Sequence, residues 1–484
     1  MGQIEVPQRD SARSKGSHSA PKKHTGILAY FSPPPRVLFF FLVLLVQLMG
    51  AAIGGVGFVY HNSAPFMLGS TILWLAWFGG LFLMAIPVTA RLFRSAAKWL
   101  KPAALTIVTI LLLAGIGEVA FLGSGWWGTQ SSRLLDALHG VFGYNDGTAL
   151  CQQASQNLIK GKNPYAEPNI VSAMLEFNGS FDKTTPLREG CLANVFPYPT
   201  SAQLQAVWQD AIKSPERAPP EFESQMSYPA GCFLLPAPFL MLGITDIRII
   251  YLIFTLPALA YVVWLAPPKL RLPLAGALAV SLAVWNSVAS GETGTLCFPF
   301  MLLGWVLAKR RPWASAIFMG MATAVKQLAW FLLPFYLILV LRRAGLKRAL
   351  SAAGVVFGIF LATNIWFIAS DPKLWLTSLL SPMTNNLFPL GIGLVTLVTS
   401  GLIDIQSPLI FTVMEGIVFV LGVIWYYRNC LRYPHTGPIL AMLPLFFAWR
   451  SLWSYFFYID IIILATVIID EYGELPAPSQ LHAV

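Results

Sequence analysis

"RVLFFFLVLLVQLMGAAIGGVGFVY", residues 36–60, is a continuous apolar run. It is long enough to cross the hydrocarbon core of a bilayer, which takes about 20 residues as a helix. Runs of the same kind follow at 66–90, 103–123, 229–243, 247–266, 272–289, 293–308, 313–325, 327–341, 349–369, 389–403, 408–427, 437–449 and 452–470. The 484 residues are 56% hydrophobic and only 11% charged, where a soluble protein carries about 25% charged residues. Mean hydropathy is +0.64. Because the runs are continuous rather than short and alternating, they exclude a transmembrane β-barrel. The sequence predicts an all-α polytopic membrane protein with roughly 12–14 transmembrane or re-entrant helices.

A net charge of +10 invites a nucleic-acid reading, but the positions of the basic residues oppose it. They cluster at the edges of apolar runs: Arg91, Arg94, Lys98 and Lys101, then Lys309 to Arg311, then Arg342, Arg343, Lys347 and Arg348. This is the positive-inside pattern, which sets orientation. No nucleic-acid partner is expected. Residues 1–35 are polar, basic and rich in Ser and Pro, and read as a disordered cytoplasmic tail ahead of a signal anchor.

Placing that tail and the 91–101 cluster inside sends the third helix outward, so residues 124–228 form one long extracytoplasmic loop. Downstream the alternation breaks, because 228–266 reads as a full hairpin while the flanking basic clusters demand one crossing fewer. A short Pro-rich segment that is broken or re-entrant would resolve the count. No internal repeat is visible, which weighs against repeat-built transporter folds.

The loop has its own pattern. Leu150, Ala154 and Leu158 form a helical stripe over 147–159, with Gly161 as its stop. Leu204, Val207, Trp208 and Ile212 form another over 201–213, behind Thr200 or Ser201 as cap. Amphipathic helices of this kind lie on the membrane plane or over the bundle. Asn178-Gly-Ser180 is a glycosylation sequon, meaningful only in a eukaryotic host. Of the five cysteines, Cys151 and Cys191 share the loop and could pair in an oxidising compartment. Cys232 and Cys297 lie in apolar runs as small core residues, and Cys430 sits at a basic membrane edge.

No phosphate loop, dinucleotide fingerprint, zinc motif or nucleophile elbow occurs in its required context, so no cofactor and no metal are expected. The chemistry falls to a few side chains. Asp146 reads as an N-cap accepting the Ala149 amide and as a catalytic carboxylate held ionised by the helix dipole; the two roles are compatible. Glu118, near the outer end of the third helix, is a membrane-buried acid and the rival catalytic group, or else a protonated residue bonded to a neighbouring helix. Asp136 reads as a solvated helix-face charge. Lys326 interrupts an apolar stretch where a lysine can grip a phosphate or snorkel. Arg450 and Tyr455, in "FAWRSLWSYFFY" (447–458), offer a second phosphate contact or an orientation signal.

These residues also carry a resemblance. Asp146, then Gly161-Lys162-Asn163-Pro164-Tyr165, then Tyr228-Pro229 ahead of Pro236, is similar to the front of the GT-C superfamily of membrane glycosyltransferases. The pattern most resembles the polyprenyl-phosphate-mannose-dependent mannosyltransferase family. "SGETGT" (290–295), "AKRR" (308–311), "MGMATAVKQLAWFLLP" (319–334) and "DPKLWLTSLL" (371–380) continue the order. Ala230 replaces the second proline of that family's Tyr-Pro-Pro, Glu292 replaces its usual glutamine, and 166–225 reads as an insertion. The resemblance implies a GT-C-like bundle, with 1–35 as tail, 36–102 as two preceding helices and 103–345 as catalytic module. Residues 346–470 follow as C-terminal helices and 471–484 as a tail.

It further implies an integral enzyme of a bacterial plasma membrane that serves a cell-envelope glycan from the extracytoplasmic face. The donor would be a polyprenyl-phosphate sugar, by resemblance mannose, and the acceptor a glycan, glycolipid or protein. Transfer would be inverting, with Asp146 as general base. The implied substrate-binding residues are Lys326, Arg450, Tyr455, Asn163, Tyr165, Tyr228 and Glu292. Trp126, Trp127 and Tyr165 would stack on sugar or prenyl chain, or simply form an interfacial belt. A transporter or lipid flippase using Glu118 and Lys326, and a non-catalytic membrane scaffold, are the alternatives from other classes.

Overall fold

The computed structural model describes residues 34–59, 63–87, 90–128, 144–177 and 179–472. Among them, seven helices are long and apolar enough to cross a membrane: Pro35–Gly57, Ala64–Ala85, Lys98–Gly117, Ile247–Leu265, Leu346–Ser370, Leu409–Asn429 and Trp453–Tyr472. An eighth is added if Pro268–Ala279 and Leu282–Ala289, bent by 50°, form one broken span. Shorter apolar helices, among them Gly294–Val306 and Pro312–Val325, fill the bundle. The protein is an all-α polytopic membrane protein.

The helix Ile459–Tyr472 is buried over nearly its whole length and occupies the middle of the bundle. Around it, apolar faces meet through aromatic edges. Phe78 packs on Phe446 at 5.8 Å and on Phe456 at 5.5 Å, which fastens the N-terminal hairpin to the C-terminal segment. Such pairs add about 0.5–1.5 kcal/mol each beyond area burial. Arg36, at the start of the first helix, pairs with Glu471 in the last and donates from Nε to the Met84 carbonyl at 2.8 Å. The ends of three spans therefore share one polar knot.

The run at 229–243 departs from one continuous helix. Residues 229–243 form two short helices, Gly231–Leu234 and Ala237–Met241, interrupted at Pro236. At about 1.5 Å per residue they cover roughly half the hydrocarbon thickness, less than a straight helical span takes. A second apolar run departs from its expected helix. Residues 389–403 instead supply β1 (Leu390–Gly391) and a single turn, Thr396–Thr399. β1 pairs in parallel with β2 (Arg450–Ser451), with Leu390 opposite Arg450. Three glycines, Gly391, Gly393 and Gly401, lie within this run, and glycine is costly inside a helix.

The polar loop is folded. Among the described residues it opens with the helix Asp146–Ile159, with Leu150 and Ala154 buried, and Gly161 at φ 74° follows its end. A second, Ser201–Ala211, is closed by a capping box: Thr200 Oγ1 accepts from the Gln203 amide at 3.3 Å, while Gln203 Oε1 accepts from the Thr200 amide at 2.9 Å. Ile170–Glu176 adds a short helix between them. The cysteine expectation is corrected here. Cys151 is bonded to Cys232, not to Cys191, which is exposed and free. Cys151 is buried on the inner face of its helix, and Ser155 Oγ donates to the Phe233 carbonyl at 2.9 Å, so that face lies against Gly231–Leu234.

Under denaturing, non-reducing conditions, alkylation should modify Cys191, Cys297 and Cys430, and all five cysteines only after reduction. Intact mass spectrometry reads this directly. Closing a separation of 81 residues gives a stabilisation of up to about 4 kcal/mol in the chain-entropy picture. Reduction should therefore lower the unfolding temperature, and an unchanged temperature would show that the cross-link carries no load.

Candidate active site

A cavity of about 1650 Å³ lies between the folded loop and the helix bundle. Asp146, Tyr228, Glu292, Lys326, Arg450 and Tyr455 all line it, although they are spread over some three hundred positions of chain.

Asp146 is the first residue of its helix rather than its cap. The cap is Asn145, whose Oδ1 accepts from the Thr148 amide at 2.9 Å. This corrects the expected bond between Asp146 and Ala149, since the Ala149 amide donates to the Asn145 carbonyl at 3.0 Å. Within its own helix, Asp146 Oδ1 accepts from the neighbouring Gly147 amide at 2.7 Å. Burial pushes its carboxyl above the ordinary range, against the pull of Thr185, the Gly147 amide and the Arg450 charge. Two residues upstream, Tyr144 Oη donates to Asp246 Oδ1 at 2.6 Å, and Asp246 is paired with Arg248 at 2.8 Å. That buried network holds the start of the site helix.

Tyr228 stands directly over this helix. A Cβ on Gly147 would come within 2.7 Å of the Tyr228 hydroxyl, so only glycine admits the approach. Lys326 lies in the break between Pro312–Val325 and Leu328–Ala344. Its Nζ donates to Thr293 Oγ1 at 2.7 Å and sits 5.3 Å from the centre of the Tyr228 ring, a cation–π distance. Burial lowers the affinity of Lys326 for its proton, opposed chiefly by the charge of Glu292. Burial likewise raises the carboxyl of Glu292, opposed by Lys326 and by a hydrogen bond with Asn145. Gly231 brings its helix against the Ala324 carbonyl, which a Cβ would approach to 2.4 Å. That contact braces the break on its inner side.

Arg450 is presented by the short β1–β2 pair. Its Nη1 is buried without a hydrogen-bond partner among the described residues. The remaining sequence candidates lie elsewhere. Asn163 Oδ1 accepts the Tyr165 amide at 3.1 Å, making a turn. Tyr165 is buried between Phe233 and Phe367 and donates to the Tyr228 carbonyl at 2.9 Å. Neither lines the cavity; Tyr165 supports Tyr228 from behind, and Asn163 shapes the turn that carries Tyr165. The side chains of Glu118, Trp126 and Trp127, and the whole of Asp136 and Asn178, fall outside the described residues.

Thr185, Arg188 and Glu223 also face the cavity, and sequence reasoning does not single them out. The side chain of Asn385 donates to the Glu223 carboxylate, joining the loop to a segment 162 positions away. No local pattern encodes that meeting. The one available signal is that Glu223 lies shortly before Tyr228-Pro229.

Residues 227–449 match the model of Glycosyltransferase family 87. The matched segment holds Tyr228, Glu292 and Lys326, stops one residue before Arg450, and excludes Asp146. No curated protein and no solved structure matches the chain. With its apolar spanning helices, the family match supports a membrane glycosyltransferase.

Proposed function

We propose that this chain transfers a sugar, by resemblance mannose, from a polyprenyl-phosphate donor to an acceptor hydroxyl at the extracytoplasmic membrane face, with inversion and with Asp146 as general base. The observation that carries this reading is one cavity lined by an acid of raised pKa and by two cationic side chains, Lys326 and Arg450, on separate elements. A partly apolar cavity of about 1650 Å³ has room for a sugar and part of a lipid chain together.

In this reaction the acceptor oxygen forms a bond to the anomeric carbon while the bond from that carbon to the phosphate oxygen breaks. The acceptor proton passes to Asp146, and the bonding electron pair leaves on the phosphate. A carboxyl held above its usual range is a better base than a free aspartate, and it still works only when ionised. Phosphate is a good leaving group, so the departing side needs positive charge rather than an acid. Lys326, fixed by Thr293 and Tyr228, supplies it. The disulfide between Cys151 and Cys232 supports the extracytoplasmic placement, because such bonds persist in oxidising compartments.

Purified enzyme with labelled polyprenyl-phosphate mannose tests the reading, with the glucose counterpart as control. Asp146→Asn should lower kcat by at least about 10²-fold; unimpaired transfer would remove Asp146 as the base. Lys326→Met should cost about 10²–10³-fold in kcat, and a variant affected only in acceptor KM would contradict its place at the leaving phosphate.

The pH profile carries a sign. Activity should fall with decreasing pH through the raised pKa of Asp146, above the ordinary aspartate value of about 4. Arg450 pulls that pKa down, so Arg450→Gln should move the acidic limb of kcat/KM to higher pH. A shift to lower pH, or none, would show that Asp146 does not set the limb.

A further inference from the structure

A second recess lies far from the active site. The helices Gly294–Val306 and Pro312–Val325 form an antiparallel pair, with Cys297 Sγ donating to the Ala322 carbonyl at 3.4 Å. Both have one end at the site, where Lys326 meets Thr293, so the turn at 307–311 that joins them lies at their other end. At about 1.5 Å per residue, a helix of 13 residues puts that turn roughly 20 Å from Thr293. The span Ile247–Leu265 packs alongside. Its first end is tied near the site by Tyr144 and Asp246, and by Arg248 Nη1 donating to the Ala289 carbonyl at 2.8 Å. Leu265 therefore lies towards the turn.

Between these three helices runs a groove of about 530 Å³. Phe300 and Leu307 form its floor, and its walls carry Ala258 and Ala314, whose short side chains leave the gap open. The apolar side chains beside it are exposed, Leu256 on one wall and Ile317 on the other, so the groove opens on the lipid side of the bundle. Among the described residues that line it, Arg311 is the one charged group, and no acid lines it. Arg311 is exposed, whereas its neighbour Arg310 turns inward and donates to the Ile469 carbonyl at 2.6 Å. Tyr261 lines the groove and stacks on Trp264 at 5.7 Å; Trp264 and Trp313 are both exposed. Rings of this kind mark the boundary between hydrocarbon and water. Arg271 donates to the Ala266 and Trp264 carbonyls at 3.1 and 2.9 Å, which brings a second cation to that end.

An apolar groove that ends in a cation at the membrane boundary matches the two halves of one kind of molecule. A lipid chain gains more close contacts in a concave apolar surface than on a flat one. A phosphate accepts charge-assisted, often paired, hydrogen bonds from a guanidinium. A zwitterionic headgroup brings its own ammonium to the same place and offsets that gain. A second copy of this chain, docked through the same face, would set Arg311 and its basic neighbours against like charge. We propose that the groove holds one acyl chain of an anionic phospholipid and that Arg311 binds its phosphate. This site is distinct from that of the departing phosphate, because it lies at the opposite end of the helix pair that carries Lys326. It stands whether or not the transfer reaction is the one proposed above.

The test titrates the full chain, in neutral detergent micelles, with phosphatidylglycerol and separately with phosphatidylcholine of the same acyl chains. Native mass spectrometry counts the bound lipids and gives a Kd for each. The wild type should bind one phosphatidylglycerol about ten-fold more tightly than phosphatidylcholine, since a basic residue at an anionic headgroup adds about five-fold and two stand at this end. Arg311→Gln should erase most of that preference, and Arg311→Lys should keep part of it. Ala314→Phe, which fills the groove, should weaken both lipids. Arg343→Gln, a basic membrane-edge residue outside the groove, should leave the preference intact. Equal Kd for the two lipids in the wild type, a comparison that needs no variant to fold, would overturn the site. So would equal loss of preference in Arg311→Gln and Arg343→Gln, which would mark diffuse attraction, or undiminished binding by Ala314→Phe. Paired chains that separate on Ala314→Phe would give the groove to a second copy and reject the lipid.

Discussion

An ammonium group in an apolar interior must be given partners, because an unpaired buried charge costs several kcal/mol. Lys326 is only 7% exposed, and much of the local architecture follows from satisfying it. The chain must break between two apolar helices to present Nζ, and Thr293 must begin the neighbouring helix to receive it at 2.7 Å. The Tyr228 ring must close over the charge, with Glu292 near enough to balance it. Tyr228 in turn is held from behind by Tyr165 and from below by Gly147, the neighbour of Asp146. One buried cation thereby couples four separate segments, and it fixes the distance between the site helix and the bundle.

Asp146 is constrained in the opposite way. An N-cap side chain is committed to the amides of the first helical turn. Asn145 takes that duty and leaves Asp146 bonded, within its helix, to the Gly147 amide. The helix therefore keeps its capped start, while the acid one position later accepts from the Gly147 amide and interacts with Thr185. Burial then acts on the carboxyl and raises it, where a cap would have been stabilised in its charged form.

The membrane class is legible because an apolar run of about 20 residues is stable in few settings besides a bilayer. Helix ends and breaks are less so. Much of the run 389–403 is buried, partly against the second span and β2, and apolarity alone does not distinguish a helix from an extended strand. Residues 229–243 resemble half a hairpin, yet the break at Pro236 shortens them below a span. The off-by-one at the cap reflects two adjacent residues, Asn145 and Asp146, that are equally good N-cap formers. Asp146, Tyr228, Glu292, Lys326, Arg450 and Tyr455 could be nominated from type and context. That they share one cavity, and that Asn163 and Tyr165 do not, depends on contacts across hundreds of positions. The pairing of Cys151 with Cys232 rather than Cys191 is of the same kind, because spacing says nothing about which helix faces which.

The division of labour along the chain follows from the same geometry. The segment that matches the glycosyltransferase model supplies Tyr228, Glu292 and Lys326, the group around the buried cation. The preceding loop supplies Asp146, Thr185, Arg188 and Glu223, and it is tied to the bundle by the disulfide at Cys232 and by the Tyr144–Asp246–Arg248 network. Under the proposed reaction, the bundle handles the leaving phosphate and the loop handles the acceptor. Replacement of Lys326 would disturb the frame itself, since its partners position the site helix as well as the charge.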